Sequence, residues 1–81
     1  MMTSEQFGFA IKMFRKNADF SLADLSESTG EYWQLIERME GGHMELEQES
    51  YEEFINKMVA AGEAKIERIQ RAVEELKGAM E

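Results

Sequence analysis

Not one proline interrupts the 81 residues of this chain, and its apolar side chains recur at intervals of three and four rather than two. Proline is the residue that removes an amide donor from a helix interior and clashes with the preceding turn. Apolar spacing of three and four stacks side chains on one face of an α-helix. The chain is therefore expected to be all-α. It has no cysteine, so neither a disulfide nor a thiolate metal site supplements the small core that this length permits. The missing cysteines fit a reducing compartment. With no apolar run of about 18 residues and no signal-like N-terminus, the expected location is cytoplasmic.

Caps and glycines divide the chain. Thr3 or Ser4 can cap a first helix carrying Phe7, Ile11 and Phe14 on one side, and the segment Asn17 to Phe20 breaks it. Ser21 caps a second helix, with Asp24 placed to receive first-turn amides. Leu22 and Leu25 point inward from it, and Gly30 ends it as a left-handed cap requires. A third helix runs from Tyr32 to Glu40 with Leu35, Ile36 and Met39 inside, and Gly41 and Gly42 stop it. After an acidic loop from His43 to Gln48, Ser50 caps a fourth helix with Tyr51, Phe54, Ile55, Met58 and Val59 on its apolar face. Gly62 is expected to interrupt, and a fifth helix follows from Glu63 to about Met80. This gives two segments, a four-helix domain over 1–62 and an amphipathic helix over 63–81.

The last segment has its own period. Ile66, Ile69, Val73, Leu76 and Met80 are separated by 3, 4, 3 and 4 residues, the a/d seam of a 3.5-residue repeat. So narrow a stripe suits one partner helix. A symmetric homodimer through these five residues is the expected assembly. The alternative is a helix folded back over the first and fourth.

Charge is unevenly distributed. Residues 21–50 hold eight carboxylates against Arg38 alone, whereas residues 1–20 hold Lys12, Arg15 and Lys16 against Glu5 and Asp19. The middle of the chain is an acidic surface within a net charge of −8.

Catalysis finds little support. There is one histidine, no phosphate-cradling glycine loop and no nucleophile elbow. The spacing of Glu45, Glu47 and Glu49 lacks the Asp/Asn-plus-Gly pattern of a calcium loop. No enzyme, metal or cofactor is expected, and His43 reads by itself as an ordinary surface residue.

The segment from Phe20 to Gly42 is the informative one. The small residue Ser26 lets a third helix cross the second closely, and Gly30 makes the tight turn between them. Ile36 and Met39, three apart, anchor the third helix, and Glu40 and Gly42 follow. In this order of residues the chain resembles the helix-turn-helix domains of the Cro and lambda-repressor type, the XRE family, over roughly Ile11 to Met58. The resemblance implies a lambda-repressor-like domain of four to five helices that binds double-stranded DNA in the major groove. It implies a role in transcription regulation as a repressor, of the kind phages and mobile elements carry. The third helix would read bases with Tyr32, Trp33, Gln34, Glu37 and Arg38 facing outward. Gln34 suits adenine, and Arg38 suits guanine or a phosphate. Lys12, Arg15 and Lys16 would hold the backbone, with His43 on a phosphate from the next loop. Two copies would reach successive grooves. Glu31 takes a position where the resemblance implies a buried aliphatic side chain, and Glu27, Glu31, Glu37 and Glu40 surround the reading face.

Those carboxylates carry a second reading. An acidic helix-turn-helix face with aromatic Tyr32 and Trp33 can bind a protein instead, as an anti-repressor, a DNA mimic or an inhibitor of a nucleic-acid enzyme. Both readings need Trp33, Gln34 and Arg38 to face outward. The competing possibility is a rotated helix with Trp33 in the core.

Overall fold

A computed structural model describes residues 2–80; residues 1 and 81, the outer ends of the two expected segments, lie outside the described residues. Among the described residues the chain is all-helical, with four helices: α1 Ser4–Asn17, α2 Leu22–Thr29, α3 Trp33–Glu40 and α4 Gln48–Ala79. Among the described residues no helix is long and apolar enough to cross a membrane.

Local chemistry sets the first boundaries. The Thr3 hydroxyl accepts from the Gln6 amide while the Gln6 side chain accepts from the Thr3 amide, a reciprocal cap at the start of α1. Ser21 and Asp24 repeat the arrangement at α2. The bonds from Ser21 hold the Asp24 carboxyl below its usual range. This cap is therefore intact above the ordinary carboxylate pKa and is lost only as pH falls through the lowered one. α1 ends in a turn where Asp19 takes a positive φ of 57°. There the Lys65 ammonium, arriving from α4, donates to the Ala18 and Asp19 carbonyls and sits 4.4 Å from the centre of the Phe20 ring.

The α2–α3 turn is tied from both sides. Gly30 has φ 78°, and its amide donates to the Ser26 carbonyl. The Ser26 hydroxyl donates to the Glu31 carbonyl, and the Thr29 hydroxyl donates to the Leu25 carbonyl while accepting from the Glu31 amide. A Cβ at Gly30 would meet no atom within 4 Å, so only the backbone conformation demands glycine. Gly30→Ala is expected to lower stability by about 1 kcal/mol, the cost of a left-handed Ala, measurable by urea denaturation.

The core gathers one side of every helix: Phe7 and Ile11 from α1, Phe20 from the following turn, Leu25 from α2, Ile36 and Met39 from α3, and Tyr51, Phe54, Met58 and Ala61 from α4. Phe7 stacks its ring 4.4 Å from that of Tyr51 and meets Phe54 edge-on. α1 packs chiefly on α3, and α2 packs on both α3 and α4. The α1–α3 crossing is close because of Gly8, where an added Cβ would lie 2.3 Å from the Met39 carbonyl oxygen.

Two expectations about the C-terminal half are corrected. The fourth helix starts at Gln48 with Glu47 as its N-cap residue, not at Ser50. Gln48 explains the earlier start: its side chain accepts from the Met2 amide and donates to the Met2 carbonyl, fastening the new helix to the start of the chain. Gly62 does not interrupt either, and α4 runs unbroken for 32 residues. A helical glycine costs only about 1 kcal/mol relative to alanine. Here it also makes room, since a Cβ at Gly62 would lie 3.2 Å from the tip of the Phe14 ring. Beyond Lys65 every described residue of α4 is exposed, so the helix leaves the body and stretches the molecule to 53 Å. It does not fold back on α1.

Candidate DNA-facing surface

α3 is short, eight residues, and two side chains fix its rotation. Ile36 and Met39 are buried, which turns Gln34, Glu37 and Arg38 to the opposite side, all exposed. Trp33 is 46% exposed and Tyr32, the residue before the first turn, is 80% exposed. Trp33 is therefore not a core residue. The N-cap position at Tyr32 makes no side-chain hydrogen bond.

The sequence-derived candidates separate into two groups. Lys12, Arg38 and His43 come together with Glu37, Glu40 and Gly41 around one shallow cleft at the C-terminal end of α3. The His43 imidazole folds back over Gly41, occupying the space a Cβ there would need. Lys16, one turn beyond Lys12 on α1, is exposed as well. Four cations or potential cations thus lie along α1 and the end of α3, with Tyr32, Trp33 and Gln34 at the other end.

Arg15 is different. Its Nε donates to one oxygen of Glu40 at 2.6 Å, a terminal nitrogen donates to the other oxygen at 3.0 Å, and the third nitrogen reaches the Phe20 carbonyl at 3.3 Å. The side chains are only 16% and 7% exposed. The paired carboxylate raises the guanidinium pKa further, so its charge is fixed. Expected to hold a DNA phosphate, Arg15 instead has its guanidinium committed to fastening the end of α1 to the end of α3.

The same pairing changes the charge balance of the face. Glu40 is neutralised by Arg15, and Glu31 receives the Lys57 ammonium at 2.9 Å. The carboxylate at the turn, where an aliphatic residue is expected, is thus met by a cation from α4. Of the four acids flanking α3, Glu27 and Glu37 have no ion-pair partner among the described residues. Neither ion pair was legible in advance, because the partners stand 25 and 26 residues apart. No group of three or more potential metal ligands occurs among the described residues.

No family model, curated protein or solved structure matches the chain. The functional reading accordingly rests on its own residues and their geometry.

Proposed function

We propose that α1 to the first half of α4 form a helix-turn-helix domain like those of the Cro and lambda-repressor type, and that the chain is a sequence-specific DNA-binding regulator, a repressor. The observation that carries this reading is the fixed rotation of α3. Buried Ile36 and Met39 leave Gln34 and Arg38, two side chains suited to bidentate base contacts, on the outward face. Lys12, Lys16 and His43 beside them supply phosphate contacts. Lys57 and Arg15 screen Glu31 and Glu40, two of the four acids that oppose a phosphate backbone there, while Arg15 is thereby lost to phosphate contact.

The test is selection of duplexes from a random library at low salt, followed by anisotropy titration of the enriched sequence. Arg38→Ala is expected to weaken specific binding by about 10- to 100-fold, equivalent to about 1–3 kcal/mol, with little change on unrelated duplex. A library that shows no enrichment rejects the reading.

The exposed Tyr32–Trp33 pair favours a second reading, a protein partner with a basic surface. Aromatic anchors of this kind dominate protein interfaces, and the chain's net charge of −8 steers toward basic partners. In that case Trp33→Ala abolishes binding to the partner while Arg38→Ala has little effect, the reverse of the order on DNA.

A further inference from the structure

The part of α4 that leaves the body carries an apolar stripe with nothing on it. Ile66, Ile69, Val73, Leu76 and Met80 are between 43% and 82% exposed. Counting back along the seam reaches Gly62, Val59 and Ile55, and the last two line a shallow apolar cleft with Ala10, Phe14 and Met58. The stripe is thus continuous with the α1–α4 junction.

We propose that this stripe pairs with the same stripe of a second copy, antiparallel, with the two-fold axis beside Val73 and Ile69. Residues whose numbers sum to 142 then face each other: Ile69 with Val73, Ile66 with Leu76, and Gly62 with Met80 of the second copy. At each end the space beside Gly62 is already filled by the chain's own Phe14 ring, so Met80 of the second copy packs on the outer edge of that ring. The flanking positions pair two residues out of step with the seam, at sums of 144 and 140: along one flank Ala72 faces Ala72 at the axis, which lets the helices approach, and Lys65 faces Ala79. Along the other flank Gln70 faces Gln70, and Glu63 faces Lys77 of the second copy, twice by symmetry.

Charge selects this direction. A parallel pair in register sets Lys65 beside Gln70, Ala72 beside Lys77 and Met58 beside Glu63, with no attractive ion pair. It also brings the two bodies side by side at one end. The antiparallel overlap covers the exposed length beyond Lys65 and the last turn before it, back to Gly62, and holds the bodies apart. Both ions are available: Glu63 has no ion-pair partner among the described residues, and Lys77 has only a loose contact with Glu74 at 3.8 Å between exposed side chains. Covering the five seam side chains of each copy, now 43–82% exposed, buries an area no larger than the lower edge for a specific complex, roughly 1,200 Å². The pair is therefore expected to be concentration-dependent.

Sedimentation equilibrium on the full chain is expected to show a monomer–dimer equilibrium, and a chain that stays monomeric at millimolar concentration overturns the proposal. Glu63→Lys and Lys77→Glu each place like charges together twice and should weaken the dimer about tenfold or more. Mixed in equal amounts, the two variants should recover wild-type affinity as a heterodimer, since both pairs become attractive again. Loss without recovery overturns the pairing. Because the chain lacks cysteine, single substitutions report direction: Ala72→Cys should form a disulfide dimer on mild oxidation and Leu76→Cys should not. The reverse outcome overturns the antiparallel arrangement. None of these readouts involves DNA, so they are independent of the proposed function.

Discussion

Arg15→Met is expected to lower the unfolding free energy by about 3 kcal/mol, because it leaves the Glu40 carboxylate buried and unpaired. Glu40 is only 7% exposed, and both its oxygens accept from the same guanidinium. Once the arginine is gone, the carboxylate has to move toward water, pulling the end of α3 away from α1. Total stability for a chain this size is about 4–12 kcal/mol, so the loss is a large fraction of it. Urea titration of Arg15→Met, Glu40→Gln and the double variant provides the check. The double variant should lose clearly less than the sum of the singles, as coupled residues do. A loss below about 1 kcal/mol for Arg15→Met would place this pair among ordinary surface ion pairs.

Gly8→Ala should be at least as damaging, for a steric reason. The new methyl would sit 2.3 Å from the Met39 carbonyl oxygen and 2.9 Å from that of Glu40. Both are backbone atoms of a helix that is itself held by the core, so relief requires α1 and α3 to separate. Overpacking of this kind costs about 3 kcal/mol, the upper end of the usual range, and a drop in Tm of roughly 12–24 °C follows. Gly78→Ala is the internal control: nothing lies within 4 Å of its added Cβ, and helix propensity alone favours the change. Equal effects of the two substitutions would show that the close crossing does not govern stability. The two predictions concern the same joint, since Gly8 sets how near α1 and α3 approach and Arg15–Glu40 clamps them one end further on.

Local features were readable from the sequence. Thr3, Ser21 and Gly30 act within four residues of themselves, through a hydroxyl, a carboxylate or a positive φ, and each marks a boundary that the structure reproduces. The outward rotation of α3 was equally legible, because Ile36 and Met39 declare the inner side by spacing alone. What escaped depends on distant partners. Gly62 reads as a break when the only neighbours considered are Ala61 and Glu63; in the fold, Ala61 is buried, Phe14 packs on Gly62 and Lys65 is bonded to the α1–α2 turn. These contacts outweigh a propensity cost of about 1 kcal/mol. Gln48 starts α4 early through Met2, 46 residues away. Arg15 looked like a surface cation because Glu40, its partner, is separated from it by a turn, a helix and most of another. Gly8 gave no signal of any kind, as a lone glycine in a helical pattern says nothing about what crosses it.

The uninterrupted course of α4 has a geometric result for any bivalent assembly. The turn before α3 and the inner side of α3 stand at the level of residues 53–57 of α4, where Lys57 meets Glu31 and Phe54 and Lys57 share a cleft with Leu35 and Met39. In the antiparallel pair those levels are separated by about 32 residues of helical rise, roughly 50 Å, whereas neighbouring major grooves on one face of a duplex are about 34 Å apart. In the proposed pair that axial spacing exceeds the step between adjacent half-sites of a straight operator. The proposed pair would instead hold its two bodies, and whatever each of them binds, at a set distance.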